Sequence, residues 1–162
     1  MNRIITTAAF AAVCLTSFAD KATDLIKGHE GYRASVYRCQ AGVKAIGYGF
    51  TDEHLIRKGR MTREEADSVL HGKCRGIRSM LRRDFKGLTA NEEAALVSFV
   101  YNVGWGRFKA STMYRHLVRG RRGRIIGNEF RKWVYVTKGG KRVKSRGIQK
   151  RREAEATLFE KG

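Results

Sequence analysis

Residues 28–52 are the part of the chain whose pattern most narrows the possible folds. The stretch reads GHEGYRASVYRCQAGVKAIGYGFTD. It interleaves β-forming residues with glycines, namely Tyr32, Val36, Tyr37, Val43 and Ile46 with Gly31, Gly42, Gly47 and Gly49. This mixture is typical of short twisted strands joined by tight turns. The stretch therefore predicts a small β-hairpin.

A short helix is predicted just before this hairpin, over residues 20–29. Asp20 or Thr23 provides a cap, and an apolar side is formed by Ala22, Leu25 and Ile26. The helix delivers Glu30 to the start of the hairpin. No other acidic residue follows until Asp52, so Glu30 is a single carboxylate at a junction between helix and hairpin.

Two capping boxes mark the starts of further helices: Thr62-x-x-Glu65 and Thr89-x-x-Glu92. The first begins a helix that runs through about Leu81, with apolar residues at helical spacing. The second begins a strongly apolar helix that ends at residues 102–104, where a glycine provides the stop. This second helix is predicted to form the core of the C-terminal lobe.

The last third of the chain also reads as helical. Three more helices are predicted: one capped by Ser111, one over residues 125–133 and one over residues 145–159. Residues 138–142, KGGKR, read as a basic turn between the last two. Trp105 and Trp133 lie in apolar helical patterns, so both are expected to be core residues and not sugar-stacking platforms.

Net charge is the unusual feature of the composition. The chain of 162 residues has 34 Lys and Arg against 15 Asp and Glu, a formal charge of +19. Such a balance indicates an anionic partner: nucleic acid, a membrane surface or a bacterial wall. No zinc-finger spacing, aromatic single-strand platform or helix-turn-helix pattern accompanies the charge, so nucleic acid is not expected as the physiological partner.

Residues 1–19 have the pattern of a secretory signal peptide. Arg3 precedes an apolar run, and Ser17-Phe18-Ala19 supplies the small residues of a cleavage site. The apolar run is short for a membrane span, which needs about 20 residues. We therefore expect cleavage after Ala19, a catalytic domain over residues 20–162, and export to the periplasm or outside the cell.

Several motifs in this order resemble the phage-type lysozymes, the endolysins of glycoside hydrolase family 24 that cut bacterial peptidoglycan. Glu30 followed by Gly-Tyr-Arg and then by IGYGFT resembles the active-site segment of that family. Residues 88–112, Trp133 and the segment Arg151-Arg152-x-Ala154-Glu155 extend the likeness to about residues 22–159. The resemblance implies an α+β, mainly helical fold, with a small β-hairpin lobe and a helical C-terminal lobe joined by a long helix.

The resemblance also implies roles for individual residues. Glu30 matches the catalytic acid, and Cys39 falls nine residues on, where the family has Asp or sometimes Cys. Ala45 falls where the family has a Thr that positions water, so this slot is altered. Three further residues match substrate-binding positions: Tyr48, Asn102, which faces the sugar cleft in the family, and Arg151, at the place of an Arg that approaches the catalytic Glu.

The chemistry of glycoside cleavage explains these residue types. A Glu can protonate the leaving oxygen near neutral pH only if desolvation raises its pKa by about 2 units. Cys39, with an ordinary pKa of about 8.5, can replace a carboxylate only as a thiolate favoured by basic neighbours. Ala45 offers only a methyl group. Two functions therefore stay open: an active muramidase, and a catalytically impaired protein that binds the wall or assists secretion.

Cys14, Cys39 and Cys74 leave the redox chemistry open. Cys39 and Cys74 can form a disulfide in an oxidising compartment, or Cys74 is a buried helix residue and both stay reduced. In a subset of the resembled family the N-terminus is retained as a releasable membrane anchor, and a cysteine from the anchor activates the enzyme by disulfide exchange. Cys14 and Cys39 are placed for such a switch. The resemblance implies a monomer that acts on peptidoglycan at an anionic wall surface, and the sequence implies no cofactor and no metal.

Overall fold

The computed structural model describes residues 20–38 and 42–162. Its elements in chain order are α1 Lys21–Glu30, β1 Arg33–Arg38, β2 Lys44–Gly47, α2 Glu53–Lys58, α3 Arg63–Asp84, α4 Ala90–Val103, α5 Trp105–Lys109, α6 Thr112–Val118, α7 Arg124–Arg131, β3 Tyr135–Lys138, β4 Lys141–Lys144 and α8 Arg146–Glu160. The predicted fold class is confirmed, because the chain is mainly helical with small antiparallel hairpins. The predicted leader and Cys39 lie outside the described residues.

The first helix and hairpin have the predicted arrangement. The Asp20 side chain caps α1 by accepting a hydrogen bond from the Ala22 amide at 3.2 Å. Glu30 is the last residue of α1, and Gly31 follows with φ of 64°. β1 and β2 pair antiparallel, with Tyr37 opposite Ala45. The carboxylate of interest therefore lies where the helix meets the hairpin.

Both predicted capping boxes are present. Thr62 and Thr89 each accept a bond from the backbone of the glutamate three residues later, and that glutamate accepts one from the cap backbone. α3 is 22 residues long and ends three residues beyond the predicted Leu81. In α4 all seven residues from Ala94 to Val100 are buried. α4 packs against α1, α3 and α8, so this helix, predicted as the core of the C-terminal lobe, contacts elements from both ends of the chain.

Three parts of the secondary structure differ from the sequence-based expectation. Residues 138–142 are the tip of a second hairpin, β3–β4, whose strands are short, mostly exposed and rich in Lys and Arg, so no apolar alternation marks them. α2 and α5 were missed because they have only six and five residues. The helix expected over residues 125–133 ends at Arg131, so the prediction that Trp133 is helical is wrong.

No helix within residues 20–38 and 42–162 is long and apolar enough to span a membrane.

Cys74 is predicted to be chemically inert in the folded protein. Its side chain is fully buried in α3, it is free of any disulfide within the described residues, and burial raises the pKa of its thiol to about 11. Because thiolate is the reactive form, iodoacetamide at about pH 8 should leave Cys74 unmodified until the protein is unfolded. Mass spectrometry of the peptide that contains Cys74 measures this. Modification after unfolding without reductant would exclude the Cys39–Cys74 disulfide, and rapid modification of the native protein would contradict the burial.

Candidate active site

A tight turn after β2 lies against Glu30. Ile46 and Phe50 exchange two backbone hydrogen bonds of 3.0 and 2.8 Å, which closes the turn. Gly47 has φ of 63°, and a Cβ there would lie 2.6 Å from a ring carbon of Phe50. Gly49 has φ of 83°, and a Cβ there would lie 3.4 Å from Oε2 of Glu30. The backbone conformation therefore favours glycine at both positions of the IGYG motif, and close packing against Phe50 adds to this at Gly47.

Glu30 forms an ion pair with Arg151. Nη1 of Arg151, in α8, lies 2.5 Å from Oε1 of Glu30, and the two residues are 121 positions apart in the chain. The Glu30 side chain is 24% exposed, whereas the Arg151 side chain is 3% exposed. The Glu30 carboxylate is thus bound by a buried guanidinium group and remains partly accessible to solvent.

A buried network fixes the orientation of Arg151. Its Nε donates to Oε1 of Glu155 at 3.0 Å, and its Nη2 donates to the Ser98 carbonyl at 3.0 Å. The Ser98 hydroxyl donates to the same Glu155 oxygen at 2.7 Å, and Arg152 donates to Oε2 of Glu155 at 2.5 Å. Glu155 is fully buried. Its carboxylate therefore binds both arginines of α8 and holds Arg151 toward Glu30.

Charge in this cluster is balanced, since the carboxylates of Glu30 and Glu155 face the guanidinium groups of Arg151 and Arg152. Burial raises the pKa of the Glu155 carboxyl, and the two arginines and Ser98 oppose that rise. Burial lowers the pKa of Arg152 to about 10. The Arg152 guanidinium lies over the Phe99 ring at 4.7 Å, and within the described part of the chain its buried Nε has no hydrogen-bond partner. Removing the buried Glu155 carboxylate would leave the buried charge of Arg152 uncompensated.

A groove of about 370 Å³ adjoins this cluster through Gly49. Its other lining residues are Phe50, Thr51, Asp52, Lys73, Gly76, Ile77, Met80, Val100, Tyr101 and Trp105. Tyr101 links the two walls of the groove, because its hydroxyl donates to the Tyr48 carbonyl at 2.6 Å. Burial raises the pKa of Tyr101, and the negative charge of Glu30 adds to the rise. A hydrogen bond from Lys73, at 2.9 Å, lowers the pKa of Asp52. The groove therefore offers a partly buried phenol that senses the charge of Glu30, and a carboxylate that is bound by Lys73.

The sequence-predicted site residues fall in different places. Arg151 contacts Glu30, as expected, while its contact with substrate stays a prediction. Tyr48 is 1% exposed and its hydroxyl donates to Asp67 at 2.8 Å, and its contact with substrate also stays a prediction. Ala45 is 2% exposed, and its methyl group is packed away from solvent. Cys39 lies outside the described residues.

Asn102 lies at a second groove, of about 640 Å³, between α4 and the β3–β4 hairpin. The side-chain amide oxygen of Asn102 accepts a hydrogen bond from Arg152. Its neighbours in the groove include Arg107 and Trp133. Trp133 packs on Phe99 at 5.3 Å between ring centroids and is only partly buried. Trp105 is also partly buried and lines the first groove. The expectation that both tryptophans are simply core residues is therefore wrong in part, since each also faces a groove.

Sequence reasoning missed Glu155, Ser98, Tyr101 and Asp52 as parts of the site. One local signal was available for Glu155, which follows Arg151 by four residues and therefore shares its helix face. Ser98 is a small polar residue inside an apolar helix, which is a weaker signal. Among the described residues there is no group of three His, Cys, Asp or Glu side chains that could hold a metal ion.

Comparison with known proteins identifies the family. The phage lysozyme family model matches residues 27–155. The chain is 36% identical over 144 residues to an endolysin of Acyrthosiphon pisum secondary endosymbiont phage 1, covering 88% of this chain and 97% of that protein. It is 34% identical to a SAR-endolysin of Bacteriophage PS119, covering 79% of this chain and 74% of that protein.

Two further matches are a relative that is about twice as long as the matched region and a solved structure. An endolysin of Bacillus phage B103 is 36% identical over 84% of this chain, which spans only 51% of that relative. The muramidase domain of SpmX from Asticaccaulis excentricus superposes with a TM-score of 0.75 at 31% identity, covering 85% of this chain and 93% of that one. These matches agree with the order of the motifs and with the mainly helical fold with two small hairpins. The chain belongs to the phage lysozyme family.

Proposed function

We propose that this protein is a muramidase that hydrolyses the β-1,4 bond between N-acetylmuramic acid and N-acetylglucosamine in peptidoglycan. The observation that carries the proposal is the position of Glu30, partly buried beside Gly49 at the edge of a groove and bound to Arg151. Membership of the lysozyme family supports a glycoside hydrolase acting on peptidoglycan. The positive charge of the chain favours an anionic wall as its surface of action.

In this mechanism Glu30 is the general acid. Its proton passes to the glycosidic oxygen while the C–O bond breaks, and the electron pair of that bond stays with the leaving sugar. Water attacks the anomeric carbon from the opposite face, which gives net inversion. Cys39, as a thiolate, accepts the proton that this water loses. Arg151 acts as a positioning residue, because it holds the Glu30 carboxyl at the groove.

The products of digestion test the proposed bond. Purified peptidoglycan is digested with the mature chain and then reduced with borohydride, which labels each new reducing end. Cleavage after N-acetylmuramic acid yields its alditol, so the proposal expects muramitol derivatives. Glucosaminitol as the main labelled product would assign a different bond and would contradict the proposal.

The altered positions are expected to limit the rate. Cys39→Asp supplies a permanent anionic group and should raise the rate of turbidity clearing, because an ordinary thiol is mostly neutral at pH 7.

Ala45→Thr restores the water-positioning hydroxyl, and loss of such a hydrogen bond lowers the reaction rate on the order of 100-fold. Since Ala45 is 2% exposed, the larger side chain should also destabilise the fold by about 1–3 kcal/mol. Rates are therefore compared below the melting temperature of each variant, and unchanged rates in both would refute this explanation.

The buried methyl of Ala45 favours a second candidate function, a lysozyme-fold protein that binds the wall or assists secretion without turnover. Pull-down on purified walls separates the two candidates. Retained wall binding with no sugar release, in the parent and in both restored variants, would favour the second.

The proposal also covers location and organisation. Export to the periplasm is supported by the SAR-endolysin relatives and by the pattern of residues 1–19. Residues 20–162 act as one catalytic domain and the protein works as a monomer. Sedimentation of the mature chain tests the last point.

A further inference from the structure

The turn between α6 and α7 concentrates positive charge and exposed aliphatic side chains. Residues 118–125 read VRGRRGRI. Val118 is 60% exposed and Ile125 is 43% exposed, although the other aliphatic residues of these two helices, Leu117 and Ile126, are buried. Val118 has the largest exposed fraction of the large hydrophobic residues that the structure describes, and Ile125 lies at the other end of the same polar turn.

Four arginines lie between the two aliphatic residues. The side chains of Arg119, Arg121 and Arg124 are exposed and form no hydrogen bond or ion pair with any residue that the structure describes. Arg122 differs, since it donates to the Leu117 carbonyl and lies 3.8 Å from Glu92. Three guanidinium groups are therefore free to bind anions, while the fourth anchors the turn.

Acidic residues near the turn are already engaged. Glu92 accepts the Thr89 amide of its capping box as well as facing Arg122, and Glu129 is buried and bound to Lys132 at 2.5 Å. Residues 115–124 contain no acidic residue at all. Gly120 and Gly123, with φ of 74° and 56°, make the tight bends that bring Val118 and Ile125 to the two ends of this basic turn.

We propose that this turn, residues 118–125, docks the protein on an anionic phospholipid bilayer. The arginines pair with lipid phosphates, and Val118 and Ile125 enter the boundary between headgroups and acyl chains. Teichoic acid or nucleic acid would use the same charges but offers no hydrocarbon for the two aliphatic groups. The inference is independent of the hydrolase proposal, because binding to lipid requires no cleavage of peptidoglycan.

Vesicle co-sedimentation of the mature chain tests the proposal. The probes are vesicles of phosphatidylcholine alone and vesicles of an equal mixture with phosphatidylglycerol. The parent should bind the anionic vesicles and not the neutral ones. Replacing Arg119, Arg121 and Arg124 together by Gln should weaken this binding on the order of 100-fold, since each cation near such a surface contributes about fivefold.

A matched control separates local docking from net charge. Replacing Lys141, Lys144 and Arg146 by Gln removes the same number of charges from exposed positions in β4 and at the start of α8. This control should keep most of the binding. The double variant Val118→Ser and Ile125→Ser should keep binding at low salt but lose the part that persists at high salt, because charge attraction is screened and hydrocarbon insertion is not.

Each other outcome overturns the proposal. Equal losses in the two triple variants would mean that net charge alone binds the vesicles. An unchanged double variant would mean that the aliphatic groups stay out of the bilayer. Binding to double-stranded DNA or teichoic acid without binding to anionic vesicles would assign the turn to a polymer. Circular dichroism of every variant confirms that the fold is kept.

Discussion

Glu30→Gln is expected to abolish lysis of peptidoglycan while leaving the fold and wall binding intact. The amide has the same shape but carries no proton that it can give to a leaving oxygen, so the loss should be about 100-fold to 10,000-fold. The measurement is turbidity clearing of purified peptidoglycan. The melting temperature should change little. The side chain of Glu30 is partly exposed to solvent, and Arg151 keeps its bonds to Glu155 and Ser98.

Glu153→Gln is the matched control for that experiment. Glu153 lies on α8, two residues from Arg151. Its side chain is 57% exposed and pairs with Arg131 on the protein surface. The same chemical change there should leave clearing within a factor of two or so. If Glu30→Gln and the parent clear the substrate equally, Glu30 has no part in the reaction and the proposed mechanism fails.

Glu155→Leu is expected to destabilise the protein more than any other single change in the site. The substitution leaves the buried guanidinium of Arg152 with no paired carboxylate and leaves Arg151 with Glu30 alone, and breaking a buried ion pair in this way costs about 3–5 kcal/mol. For a chain of this length the melting temperature should fall by about 6–20 °C. Thermal and guanidinium unfolding measure the change, with Glu153→Gln expected to stay within about 0.5 kcal/mol.

Glu155→Gln separates the charge of Glu155 from its shape. The amide oxygen can still accept from Ser98 or Arg151, so part of the packing and hydrogen bonding is retained, while the negative charge between the arginines is lost. We expect a smaller loss of stability than for Leu, because the amide keeps part of the hydrogen bonding that Leu removes. A Leu variant as stable as the parent would show that the network contributes nothing to the fold.

The helices that could be predicted are those whose starts are encoded locally. Thr62 with Glu65 and Thr89 with Glu92 satisfy the first amides of α3 and α4 within one turn of chain, so the sequence pattern alone marks them. The β3–β4 hairpin has no such signal. Its strands are exposed and basic, and pairing of Tyr135 with Lys144 becomes visible only when the backbone is in place.

The site divides in the same way. The motif around residues 28–52 determined by itself that Glu30 ends a helix beside a glycine-rich turn, because helix stops, glycine conformation and strand preference act between near neighbours. Only the tertiary structure decided that Arg151 meets Glu30, which is 121 residues away in the chain. It also decided that Ser98 and Glu155, which are 57 residues apart, bond to each other and hold Arg151 in place. It decided as well that Tyr48 is buried, with its hydroxyl bound to Asp67. These outcomes depend on how α8 packs against α4 and α1, and packing between distant segments leaves no periodic trace in the order of residues.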